Sequence, residues 1–185
     1  MPIRQRLPWR LLSAVLLTSA LGNADARPPP LSEAEVKAGL VFNFARYVDW
    51  PGSSFGSADA PFVICLVGHD RFAPAFSALS GRTLKGRVVQ VRLGVLPDQN
   101  AGCHVAFLAE VPVHGMAAAA YALAAQGVLT VSDADGFIDS GGAIGIVPGA
   151  ERLQFEINRD ALNRAGLQAS SQLLKLARSL IGRGR

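Results

Sequence analysis

Apolar residues recur every four positions from Val36 through Leu40, Phe44 and Val48, with Val41 and Tyr47 beside them. That stripe predicts a helix with one broad buried face. Ser32-Glu33-Ala34-Glu35 has the S-x-x-E form of a capping box and opens the helix, which runs to about Asp49, and Pro51-Gly52 stops it. Phe62 to Gly68 is instead a continuous apolar run of strand length, the pattern of a strand covered on both faces of a parallel sheet. A short helix over 71–79, a Gly/Lys/Arg turn and an alternating strand through Val89, Val91 and Leu93 follow. Cys103 to Leu108 reads as another buried strand, Met116 to Ala125 as an alanine-rich helix with Gly127 as its C′ residue, and Val128 to Asp133 as the next strand.

Strands alternating with helices argue for a parallel α/β core. The last third changes character. Gly141-Gly142 begins a strand through Val147, Pro148-Gly149 turns the chain, and Leu153, Phe155 and Ile157 alternate with Arg152, Gln154 and Glu156, which predicts a hairpin with one wet face. From Ser170 or Ser171 a closing helix is expected to carry Leu173, Leu174, Ala177, Leu180 and Ile181 inward until Gly182 ends it. The expected fold class is therefore α/β: a single domain, with a mainly parallel sheet flanked by helices, a C-terminal β-hairpin and a closing helix.

Ahead of this domain, Arg4, Arg6 and Arg10 precede an apolar run from Leu11 to Leu21 and the small-x-small triplet Ala24-Asp25-Ala26. That order is the secretory pattern, and the run is about half of the ~20 residues a membrane-spanning helix needs, so residues 1–26 are expected to be a cleaved signal peptide and 27–185 the exported domain. Cleavage leaves 159 of the 185 residues. Arg4, Arg6, Arg10 and Asp25 then leave the 18 basic and 14 acidic residues, so 15 face 13 and the net charge of +4 falls to +2. The basic residues are scattered and do not interleave with aromatics, which argues against nucleic acid as a partner. In an oxidising compartment the two cysteines, Cys65 and Cys103, read first as one disulfide, with two buried thiols packed as small hydrophobes as the alternative.

Candidate chemistry is sparse. Gly52-Ser53-Ser54-Phe55-Gly56 matches the G-x-S-x-G string of hydrolases, but it follows a helix end instead of the strand-to-helix turn that exposes such a serine. Asp133-Ala134-Asp135-Gly136 with Asp139 lacks the closing glutamate of a calcium loop and reads as a solvated turn. His69, His104 and His114 lie in separate connections without metal-ligand spacing, and read as capped or exposed. No catalytic set, metal site or cofactor is expected. Asp70 and Asp133 fall at strand C-terminal ends, where open α/β sheets place ligands, so a small-ligand sensory module is the alternative reading.

Segment order carries more. Ala34-Glu35-Val36-Lys37-Ala38 through Phe42-Asn43-Phe44-Ala45-Arg46-Tyr47-Val48-Asp49-Trp50-Pro51, then Ile64-Cys65-Leu66-Val67-Gly68, Cys103-His104-Val105, Leu129-Thr130-Val131-Ser132-Asp133 with Phe137 and Gly141-Gly142, Phe155-Glu156-Ile157-Asn158, Gly166-Leu167 and Leu173-Leu174-Lys175-Leu176-Ala177 together resemble the YfiR-like periplasmic family. The resemblance implies a periplasmic regulator that binds the extracytoplasmic region of an inner-membrane diguanylate cyclase, or another membrane sensor, and lowers cyclic-di-GMP output. It further implies release through capture by an outer-membrane peptidoglycan-binding lipoprotein, a disulfide, and the capacity to form a homodimer. Some members carry extra cysteines before the last strands; this chain has none there. Glu156 is expected to face solvent, Asn158 to cap the next short helix, and Leu162 and Arg164 to lie on that helix, giving a partner patch with an apolar centre and charged rim. The plainer alternative has Asn158 only capping and Glu156 paired with Arg152 or Arg164.

Overall fold

The structure, a computed structural model, describes residues 30–68, 70–96, 102–109 and 112–183. The signal-peptide expectation for residues 1–26 and the histidine at position 69 lie outside the described residues. The first helix, α1 (Glu33–Tyr47), starts on the expected capping box: Ser32 Oγ accepts from the Glu35 amide at 3.2 Å, and the Glu35 carboxylate accepts from the Ser32 amide at 2.7 Å. Chain order then gives β1 (Val48–Asp49), β2 (Phe62–Gly68), α2 (Ala73–Ser77), β3 (Thr83–Leu84), β4 (Arg87–Val95), β5 (Val105–Ala109), α3 (Val113–Ala124), β6 (Leu129–Ser132), β7 (Ile144–Val147), β8 (Gln154–Asn158), α4 (Arg159–Arg164), β9 (Gln168–Ala169), α5 (Ser171–Leu176) and β10 (Ser179–Ile181).

Eight strands form one sheet in the order β10-β8-β7-β6-β5-β2-β4-β3. The central run from β4 to β7 is parallel throughout. β8 returns antiparallel to β7, with Ile144 opposite Ile157 and Gly145 opposite Glu156. β3 and β4 make a tight hairpin whose two turn residues, Lys85 and Gly86, both have positive φ, as a type I′ turn requires. Alternate residues of each central strand enter separate cores. Phe62, Ile64 and Leu66 join Phe107, Val131 and Ile144 beneath α1, α2, α4 and α5, whereas Val63, Cys65 and Val67 join Ala106 and Leu108 beneath Met116, Ala120 and Leu123 of α3. This two-faced burial is why Phe62 to Gly68 carries no polar alternation.

The Cys65–Cys103 disulfide is present, with Cα atoms 5.8 Å apart, on the α3 side of the sheet. Cys65 belongs to β2 and Cys103 lies two residues before β5, so the two pairing strands bring the sulfurs together.

The closing helix needs correction. α5 ends at Leu176, and residues 179–181 form β10, pairing parallel with β8 through Ser179 to Glu156 and Leu180 to Ile157. Without that strand β8 would present an open edge, and the Arg178 amide already donates to Phe155 O at 2.8 Å as the chain approaches it. Gly182 ends the strand at φ 83°, where a Cβ would lie 2.8 Å from the Asp160 amide nitrogen.

Candidate functional site

At the C-terminal edge of the parallel strands, Lys37 emerges from α1 into a nearly closed environment, its side chain 6% exposed. Its Nζ donates to Asp133 Oδ2 at 2.6 Å and to Glu33 Oε1, and lies 5.4 Å from the Phe72 ring centre. Burial works against the ammonium, but the hydrogen bonds and charges of Asp133 and Glu33 outweigh it and raise the Lys37 pKa. The Glu33 carboxyl is held below its ordinary value by the hydrogen bond and charge of Lys37. Glu33, Lys37, Asp133 and Asp135 line a half-open cavity of about 290 Å³ with Ile146, Pro148 and Leu153. Of the two aspartates expected near a ligand, Asp133 reaches this cavity, and Asp70 starts a single 3-10 turn that runs to Phe72. Lys37 itself was not singled out from the sequence, although the Glu33–Lys37 spacing of four residues placed them on one helical face.

The four residues expected at a partner surface separate into two kinds. Asn158 is 8% exposed and Leu162 is 4% exposed, both within the chain's own interior. Asn158 Oδ1 accepts from the Ala161 amide at 3.1 Å, capping α4, while its Nδ2 donates to Ile138 O at 2.8 Å. Leu162 packs in the core beneath α1, so the apolar centre of the expected patch is not open to a partner. Glu156 is half-buried instead of solvent-facing, because β10 pairs along the outer side of β8. Its neighbours Phe155 and Ile157 point towards α1, with the Phe155 and Phe44 rings 4.9 Å apart, so Glu156 projects to the opposite side, between Gly145 and Ser179. Among the described residues Glu156 forms no ion pair with Arg152 or Arg164. Arg164 is exposed; its guanidinium carbon lies 4.0 Å from the centre of the Tyr121 ring and its Nη1 donates to Gly141 O at 3.4 Å. Tyr121, 49% exposed on α3, is a surface residue the sequence reading missed, since it sits inside an otherwise uniform alanine run. Beside α4, Arg159, Leu162, Asn163, Leu167 and Gln168 border a half-open cavity of about 360 Å³.

The G-x-S-x-G string forms a 3-10 turn, Gly52–Ser54, separated from β1 by Trp50 and Pro51, and Ser54 contributes its backbone carbonyl to a buried histidine. That histidine, His104, is 8% exposed and buried deeper than its position before a strand suggested. Asp135 and Asp139 are exposed, and among the described residues no group of three His, Cys, Asp or Glu side chains is placed to hold a metal ion.

The parallel run β4-β2-β5-β6-β7 follows, in order of appearance, the 2-1-3-4-5 arrangement of doubly wound sheets, with helices on both faces. Fold and surface together define an α/β domain of the doubly wound kind, extended on one side by an antiparallel strand pair. Residues 34–178 match the YfiR/HmsC-like family, and the chain belongs to that family. The family is a regulatory one. Among the described residues no helix is long and apolar enough to cross a membrane. A conserved domain protein of Vibrio cholerae O1 biovar El Tor has a similar fold, with a TM-score of 0.54 and 13% identity over 82% of this chain. This chain spans 61% of that protein's length. An ABC domain from Streptococcus pneumonia, in complex with L-Trp, matches at a TM-score of 0.48 and 11% identity over 80% of this chain and 60% of that one.

Proposed function

We propose that this chain is an exported periplasmic repressor that binds the extracytoplasmic region of an inner-membrane diguanylate cyclase and holds its cyclic-di-GMP output low. The family match across residues 34–178 carries the reading. An outer-membrane peptidoglycan-binding lipoprotein releases the cyclase by capturing the repressor, and the repressor is able to form a homodimer. Surface binding is the mechanism, and Glu156 and Arg164 are the residues that touch the partner. Asn158 and Leu162 serve the same surface from beneath, by fixing α4 to β8 and to the core. Arg164 stacked on Tyr121 supplies the kind of aromatic and guanidinium pair on which interfaces concentrate their binding energy. Glu156, half-buried and free of an internal ion pair among the described residues, is suited to a cationic group from the partner. The test is a titration of the purified chain against the extracytoplasmic region of the candidate cyclase. Binding that weakens at least tenfold in Arg164→Glu or Glu156→Lys, about 1.4 kcal/mol, supports the patch. Unaltered binding in both variants removes it, and no binding by the parent chain removes the repressor reading for that cyclase.

A second reading is supported by the cavity at Lys37, Asp133 and Asp135, which lies at the strand ends where doubly wound sheets take ligands. Here the domain senses a small molecule. Isothermal titration with periplasmic solutes distinguishes the two, because an Asp133→Asn variant loses solute binding while leaving the α4 surface intact.

A further inference from the structure

His104 stands immediately before β5, between the rings of Phe55 and Phe62, whose centroids lie 4.5 and 5.0 Å from its own. Both nitrogens are engaged. Nδ1 accepts from the Val63 amide at 3.0 Å, so Nδ1 carries no proton, and the proton resides on Nε2, which donates to Ser54 O at 3.2 Å. A neutral imidazole thus ties the segment 50–60 to β2. We propose that His104 is an acid-labile latch: protonation of Nδ1 sets it donor to donor against the Val63 amide and drives the ring from its seat between Phe55 and Phe62, and that displacement, which also takes Nε2 from Ser54 O, frees the segment that carries Trp50, Ser54 and Phe55.

Imidazolium is a donor at both nitrogens, so an added proton at Nδ1 faces the Val63 N–H donor to donor. Burial, followed by the charges of Arg87 and Arg92, pushes the His104 pKa down, with the bond to Ser54 O opposing. Those arginines belong to β4; β2 and β5 contribute no charged side chain, Asp59 on the tethered segment is exposed, and among the described residues no carboxylate pairs with the ring. The sign follows. A released imidazole takes its proton near pH ~6.5 and the latched one only at lower pH, so between the two the released form binds more protons. The latch is complete above the ordinary imidazole range and is lost as the pH falls through the latched value.

Release is local because other bonds keep the sheet together. The His104 backbone pairs with Val63 O and receives Leu129 N, both at 2.9 Å, and the adjacent Cys65–Cys103 bridge is indifferent to protons. The segment, by contrast, holds a buried indole Nε1 of Trp50 with no hydrogen-bond partner among the described residues, a donor that release returns to water. A second clamp, Arg87 Nη1 donating to the carbonyls of Ser57, Ala58 and Ala60, retains the far end of the segment. The near end continues through β1, which pairs with β9 just after α4, so the latch reports at the edge of the molecule that carries Arg164. The latch stands whether or not that edge binds a partner.

Trp50 is the natural reporter, its ring edge-on to Phe62 at 5.1 Å. In the full chain carrying Trp9→Phe, Trp50 is the remaining tryptophan. Lowering the pH from about 7.5 to about 4.5 is expected to shift its emission to longer wavelength and to raise its quenching by acrylamide, with the far-ultraviolet circular dichroism unchanged. His104→Gln, whose amide accepts from Val63 and donates to Ser54 without titrating, is expected to hold the spectrum constant. An unchanged Trp50 signal in the parent, or the same change in His104→Gln, overturns the latch. Should that variant not fold, the imidazole and indole resonances of the parent decide: concerted titration of His104 and Trp50 supports the latch, and a His104 that stays neutral, or protonates while Trp50 is unmoved, overturns it.

Discussion

Single residues divide into those that hold the domain together and those available to act. Lys37 belongs to the first kind, since its ammonium is surrounded by Asp133, Glu33 and the Phe72 ring. Lys37→Met is expected to destabilise the domain by about 2–4 kcal/mol, because it leaves Asp133 without its partner, whereas the double variant Lys37→Met, Asp133→Leu recovers most of that loss. Urea unfolding of the three chains measures both. Lys37 and Glu33 stabilise the domain in complementary pH ranges. Lys37, raised, contributes below its ordinary pKa near ~10.4 and loses that contribution only as the pH rises through its folded value. Glu33, lowered, contributes above about 4.3 and loses it as the pH falls through its folded value. Asn158→Ala is expected to cost about 1–2 kcal/mol, through the lost cap and the stranded Ile138 carbonyl. Arg164→Glu shifts stability by less than about 0.5 kcal/mol, its exposed guanidinium having only Tyr121 and Gly141 to lose. The contrast between these two thermal denaturations separates scaffold from surface in the expected patch.

Elements built from local chemistry were legible in the sequence, and those that depend on distant pairing were not. The capping box at Ser32 and Glu35, the unbroken apolar run of β2 and the αL glycine after α3 are written in adjacent residues. β10 is not, because Leu173, Leu174, Ala177, Leu180 and Ile181 keep helical spacing and only the edge of β8, some twenty residues upstream in the chain, draws the last of them into a strand. The same error displaced Glu156, whose exposure depends on whether a strand lies beside it. Leu162 was placed on the right helix but on the wrong side of it, since a six-residue helix offers less than two turns of periodicity from which to read a face. Gly182→Val tests the C-terminal strand: positive φ and the nearby Asp160 backbone make it costly, by about 1–3 kcal/mol, and hydrogen exchange is expected to rise selectively in β8 and β10. Uniform exchange across the sheet would place the strain elsewhere.

At the scale of the whole molecule, one sheet carries two kinds of edge. The C-terminal edge of the parallel strands holds the Lys37 cavity, and the opposite edge gathers the His104 latch, α4 and the Arg164–Tyr121 pair. The disulfide joins β2 to the start of β5 at the centre, closing a sequence separation of 38 residues, worth about 4 kcal/mol in the chain-entropy account. Replacing both cysteines by serine is expected to lower the unfolding free energy by about 2–5 kcal/mol, measured by denaturant titration under oxidising conditions. Repression by surface binding is the central claim, and the cellular cyclic-di-GMP level tests it most directly. Deleting the gene is expected to raise that level through one membrane cyclase, the exported parent chain to restore the low level, and the stably folded Arg164→Glu chain to leave it high. An unchanged cyclic-di-GMP level in the deletion strain, with the candidate cyclase expressed, would contradict the account.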